Sequence, residues 1–250
     1  MSRVALYRVL AVTIPIALVE LACRLGWISR LTLPPPSEMA GGLYAILESG
    51  RMTGAILETL RNVLVALAGS VVVGVAAGAL IHAVAPLRRL LEPLFSTYYA
   101  VPIYGFYPLF IVMFGLGDGP QVLIGFLLGI VAVIVTTLNG LDRVPNVLRK
   151  TALVSRLTPL QTALHVTLPF CAPYLLTAAK LALAYAFIGV IGSEFIMARS
   201  GMGYEIGFAY TNFDNATMYP LILLILLLSV IMNSALSRWE KVLLARRGQQ

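Results

Sequence analysis

Few side chains in this 250-residue chain can do chemistry, and none is arranged for catalysis. His82 and His165 lie in separate segments, and there is no H-E-x-x-H or G-x-S-x-G run, the spacings a zinc protease or a serine hydrolase would need. Gly115-Leu116-Gly117-Asp118 has the letters of an aspartyl-protease motif, but Asp118 falls beyond its apolar run and no second aspartate lies inside one. Cys23 and Cys171 sit far apart at the edges of apolar runs, which gives neither a disulfide framework nor metal spacing. A phosphate-binding loop is also missing, because Lys150-Thr151 follows Arg149 where glycine is required. The reading is of a protein with no catalytic residue, no metal and no cofactor of its own.

What remains is polarity inside apolar sequence. Lys180 and Glu194 share one apolar run, and such charges are functional candidates by default. They stand 14 positions apart, roughly 21 Å along a helix, so they cannot pair. Lys180 lies near one end of its run and can snorkel out. For Glu194 three roles stay open: lining a solute path, binding a facing subunit, or a hydrogen bond within the bundle. Pro102 and Pro108 interrupt another run, and Tyr98, Tyr99, Tyr104 and Tyr107 bring hydroxyls to those breaks. Freed carbonyls at membrane depth need protein or a watery cavity to satisfy them. A solute channel fits that pattern, and so does an interfacial tyrosine belt.

The elements that must position these groups are membrane helices. The chain is 59% hydrophobic and 12% charged, with mean hydropathy +0.90, whereas a soluble domain is about a quarter charged. Six spans are predicted, giving an all-α polytopic membrane protein: Val4–Cys23, Asn62–Val84, Phe95–Leu116, Gln121–Leu138, Pro173–Ile196 and Met218–Leu236. The first is read as a retained span, since no small-x-small cleavage site follows it. Gly74-x-x-x-Gly78 and Gly125-x-x-x-Gly129 permit close helix approach, a spacing common in glycine-rich membrane sequence. Cationic residues stay on the cytoplasmic side. With both termini inside, 12 of the 18 Lys and Arg fall there, among them Arg88, Arg89, Arg143, Arg149, Lys150, Arg156, Arg246 and Arg247. The net charge of +7 is thus accounted for by orientation, without a nucleic-acid footprint. Expected organisation is a first helix with a Pro-rich extracytoplasmic connector (1–54), a transmembrane domain (55–240) and a basic cytoplasmic tail (241–250).

The longest inner loop, 139–172, is built rather than slack. Pro145 can start one short helix. Thr158-Pro159-Leu160-Gln161 starts a second with a hydroxyl at the N-cap, proline at the first helical position and glutamine at the third, a capping-box pattern. Thr167-Leu168-Pro169 is expected to end it and turn the chain into the fifth span. Both an interfacial helix on anionic headgroups and a docking element for a cytoplasmic partner fit.

Gln161 and Val166-Thr167-Leu168-Pro169 resemble the end of the EAA loop of ABC-importer permeases with a type-1 transmembrane domain. The likeness continues through 193-SEFIMARSGMGYEI-206, similar to the nitrate/taurine/aliphatic-sulfonate branch. It includes 59-TLRNVLVALAGSVVVGVAAGALI-81, Pro102 with 108-PLFIVMFGLGD-118, and the last span with Trp239-Glu240. The resemblance implies a multi-pass bacterial inner-membrane subunit of a binding-protein-dependent importer. Its implied partners are ABC ATPase subunits that bind the ATP, a second permease subunit, an extracytoplasmic solute-binding protein and the lipid bilayer. It implies ATPase coupling through Arg149, Lys150, Ala152, Arg156, Pro159, Gln161, Leu168 and Pro169. Solute-path candidates are Tyr98, Tyr99, Pro102, Tyr104 and Glu194, and Gly201, Gly203 and Tyr204 form a turn on the binding-protein side.

Counting back from Leu168-Pro169, the family's Glu-Ala-Ala falls on Lys150-Thr151-Ala152, and its glycine falls on Arg156. Arginine does not neutrally replace a glycine that takes positive φ, so either the turn is rebuilt or the helix runs on. The alternatives to a standard permease are a degenerate, structural half of a heteromeric permease and an ATP-independent secondary transporter. The latter would usually show repeated halves, and none is visible. Nothing in the spans selects a solute.

Overall fold

The computed structural model describes residues 3–245, so 246–250 of the expected basic tail lie outside the described residues. The described chain is a helical bundle. Helix α1 (Arg3–Arg24) is followed by the connector with Pro34–Pro36, α2 (Pro36–Ser49), α3 (Thr53–Ala83) and α4 (Ala85–Thr97). Two short 3₁₀ turns lead to α5 (Tyr107–Phe114) and α6 (Asp118–Asp142). The loop helices α7 (Asn146–Val154) and α8 (Pro159–Thr162) precede α9 (Leu168–Met197), α10 (Met202–Thr211) and α11 (Asn215–Ala245). Among the described residues, four helices are long and apolar enough to cross a membrane, or five if a bent pair is one span. The first predicted span, Val4–Cys23, falls within α1, whose 22 residues reach about 33 Å, but α1 is not among those candidate helices.

The third predicted span, Phe95–Leu116, is not straight. Segments Ala85–Ala100 and Ile103–Phe114 meet at 86°. The break falls at Val101-Pro102, where Pro102 has no N–H for the preceding turn. Pro108 does not interrupt anything: it occupies the first turn of α5, where its missing donor costs nothing. The stretch between the first two spans is also more than a Pro-rich connector. It forms α2, which seats Leu43 with Met52, Met202, Ile206 and Leu221 in one apolar cluster.

Helix α6 runs between α3 and α9, and its central side chains are mostly buried. The two glycine spacings are the contact points. A Cβ on Gly74 would stand 2.7 Å from Val133, and one on Gly78 would stand 2.9 Å from Thr137. On the other flank, a Cβ on Gly189 would lie 2.5 Å from the Gly125 Cα. Lipid tails are as apolar as leucine, so helices in a bilayer gain by close packing rather than by leaving water. These small residues allow it. Cys23 and Cys171 are both buried free thiols.

Candidate functional site

The loop connecting α6 to α9 has a defined shape. Pro145 is the N-cap of α7. At its other end the Leu157 N–H donates to the Ala152 carbonyl at 3.0 Å, and the Arg156 N–H donates to Leu153 at 3.0 Å. This pair of bonds is a Schellman turn, and its left-handed position is Arg156, at φ +52°. Neither expected outcome occurs: the turn is not rebuilt and the helix does not run on. Arginine simply takes the glycine conformation, at a cost of about 1 kcal/mol. The capping box follows as predicted. The Gln161 N–H donates to the Thr158 hydroxyl, and the Thr158 N–H donates to the Gln161 side chain at 2.9 Å.

Thr167-Leu168-Pro169 does not end this helix. Chain 159–197 is one continuous helix of 39 residues, with a π turn at Ala163–Thr167 joining α8 to α9. A π turn shifts the hydrogen-bond register by one residue just before Pro169, which itself has no N–H to donate. Inside the loop Ala152 is buried, while Leu153 and Val154 are 76% and 85% exposed. Val147 and Leu160 are exposed as well, and Lys150 also points outward. The Arg149 guanidinium donates to the Leu141 carbonyl at 3.0 Å, tying α7 to the end of α6. The result is a rigid knob with an apolar, cationic face.

At the opposite end of the bundle, three separately predicted residues come together. Glu194 is 1% exposed. Its carboxylate accepts from the Thr59 hydroxyl at 2.8 and 2.9 Å and from the Gly203 N–H at 2.9 Å. Thr59 in turn accepts from the Met202 N–H at 2.8 Å. Met202 and Gly203 open α10, so their N–H groups lack helical partners. The N-cap, Gly201 at φ +97°, has no side chain to serve them. The cap is therefore supplied by α3 and α9, and glycine is required because the Glu194 carboxyl fills the space a Cβ would occupy at Gly201, while the Ile191 carbonyl and the Glu194 Cβ fill it at Gly203. Tyr204 already belongs to α10 and stacks near Phe208. Of the three roles left open for Glu194, this geometry is the hydrogen bond within the bundle. Beside this knot, Asn62 donates to Asp118 at 3.1 Å, Arg61 pairs with Asp118, and Ser200 donates to Glu58.

The tyrosines divide by role. Tyr98 donates to the Leu127 carbonyl at 2.9 Å, and Tyr104 donates to Ile188, so two hydroxyls lock the bent segment to α6 and α9. Tyr107 is buried. Tyr99 instead stacks on Tyr185, with centroids 5.3 Å apart at 17°, beside a cavity of about 480 Å³. Glu194 and Pro102 do not line that cavity, so the sequence-based solute-path set is not one surface. Sequence reasoning missed the ion pair of Lys180 with Glu240, which joins α9 to α11 in place of the snorkelling expected of Lys180. It also missed Arg88, which donates to both Asp142 oxygens at 2.7 Å. Charge at both ends of each pair was visible, but partners 60 and 54 positions apart carry no local signal. Among the described residues, no group of three or more His, Cys, Asp or Glu could hold a metal ion.

The sequence profile of the binding-protein-dependent transport system inner membrane component family matches residues 70–247. A probable ABC transporter permease protein of Brucella melitensis is 26% identical over 211 residues, covering 84% of this chain and 86% of the relative. The riboflavin transport system permease protein RibX of Chloroflexus aurantiacus is 27% identical, covering 83% and 80%. The taurine transport system permease protein TauC of Escherichia coli is 27% identical, covering 72% and 67%. The fold is that of a chain in the MetNI methionine ABC transporter in inward-facing form, with TM-score 0.68 at 20% identity, covering 77% of this chain and 95% of that one.

Proposed function

The chain belongs to the binding-protein-dependent transport system inner membrane component family, and from that premise we propose how its parts serve import. It is a multi-pass inner-membrane permease subunit of an ABC importer, a transport component rather than an enzyme. The family implies an ATPase subunit and a solute-binding protein as partners. In the proposed arrangement both termini are cytoplasmic, two permease subunits frame the solute path, and the 139–172 loop seats in the ATPase. ATP bound and hydrolysed there moves the loop. Because α8 continues into α9, that motion reaches the Glu194 knot and the α10 turn on the binding-protein side.

The observation that supports this best is the loop itself. An apolar face with Leu153 and Val154 more than three-quarters exposed, held by a Schellman turn and a capping box, suits a groove rather than water. The retained turn favours a working coupling element over a degenerate half. Lys150, in place of the family glutamate, then calls for an ATPase groove with matching acid. The test is co-purification in mild detergent. Leu153→Asp with Val154→Asp should strip the ATPase from a chain that stays folded, and Lys150→Glu should weaken the pairing with its own ATPase. Retention of the ATPase by both variants would count against coupling through this loop.

A further inference from the structure

The 480 Å³ cavity lies between α4, α6 and α9, at the loop end of the bundle, and is of ordinary small-ligand size. Its outer wall, α4, is set off from α3 by the extended residue Val84 and from α5 by the Val101-Pro102 break. Tyr99 and Tyr185 form a stacked aromatic surface in the wall. Ser96, Thr136 and Asn139 add two hydroxyls and an amide, which together can donate to and accept from a polar ring.

The charges there are already matched. Among the described lining residues the one cation is Arg88, which is held bidentately by Asp142 at 2.7 Å and lies 3.5 Å from Glu92. Arg149 stands nearby on the Leu141 carbonyl, and His82 Nε2 lies 3.5 Å from Asp142. The charged lining residues are Arg88 and Glu92, so their formal sum is zero. An entering anion would meet the Glu92 carboxylate and find no free cation, and a desolvated charge without a partner is costly. An uncharged ring suffers no such penalty and gains from stacking.

We propose that this cavity is a solute site on the transport path for an uncharged, planar, hydrogen-bonding heterocycle, and that it rejects small inorganic and sulfonate anions. The proposal rests on the permease reading above. The full chain with its ATPase, in lipid nanodiscs without binding protein, tests both. A Ser96→Cys variant, with Thr136→Cys as a second reporter, is labelled by a maleimide while the native Cys23 and Cys171 stay buried. Cytosine, 4-amino-5-hydroxymethyl-2-methylpyrimidine, lumichrome, nitrate and ethanesulfonate are the probes. At least one heterocycle should slow labelling at both reporters and neither anion should. Tyr99→Ala should weaken that protection about tenfold, and Tyr99→Phe should keep it. Protection by nitrate or ethanesulfonate, or by no probe while the ATPase remains bound, overturns the cavity assignment and leaves the permease reading intact. An assembly that neither holds the ATPase nor shows ATP-driven uptake overturns both.

Discussion

Arg156 and Glu194 each carry a constraint that a single substitution can test. Arg156 holds a left-handed conformation that glycine would adopt freely, so Arg156→Gly should stabilise the loop by about 1 kcal/mol. The expected readout is slower proteolysis between α7 and α8 with ATPase binding retained, and faster cleavage would show that the arginine side chain holds the turn in some other way. Glu194 caps α10 from a distance. Glu194→Gln keeps an acceptor for the Gly203 N–H and should cost little, whereas Glu194→Ala leaves buried donors unmet and should cost about 2–4 kcal/mol in detergent thermal unfolding. Equal melting of both variants would mean the carboxyl is not the cap. If Glu194→Gln melts normally but stops uptake, the residue has a transport role beyond its structural one.

At the scale of elements, the bundle is held by close packing along its length and by ion pairs toward both ends. Lys180→Met strands Glu240, whose side chain is only 18% exposed, and should cost about 1–3 kcal/mol. Adding Glu240→Leu should recover most of that loss. A double variant no better than the single one would deny that the pair acts as a unit. Gly189→Val forces side-chain atoms into the Gly125 backbone and should cost about 1–3 kcal/mol by overpacking. Much of this level was legible beforehand. Four predicted spans fall inside described helices, because apolar length is a strong signal, and the Thr158–Gln161 box was readable because capping is a four-residue code. The bend at Pro102 was signalled but its angle was not. The π turn escaped notice because Leu168-Pro169 reads as a stop unless the register shift that accommodates the proline is known. The Gly201-x-Gly203 pair was taken as a turn; its true requirement, room for Glu194, is a tertiary fact.

For the whole molecule, the distribution of charge fixes a proposed orientation. A cysteine at position 153 should resist a membrane-impermeant maleimide in intact cells, while one at position 30 in the connector should react. The reverse pattern would invert the topology and remove the loop from the ATPase. The unbroken helix from Pro159 to Met197 has a mechanical consequence once its close backbone approach to α6, Gly189 on Gly125, is treated as a fulcrum. Roughly 30 residues, or about 45 Å, lie on the loop side of that point, and roughly 8 residues, or about 12 Å, lie on the other. Such a lever trades travel for force by nearly fourfold. In the proposed coupling, a swing of several ångströms at the loop becomes a nudge of about 1 Å at Glu194, only about 7.5 Å past the fulcrum, enough to lengthen hydrogen bonds of 2.8–2.9 Å past their useful range. The far end need not travel to release α10; it only has to let go.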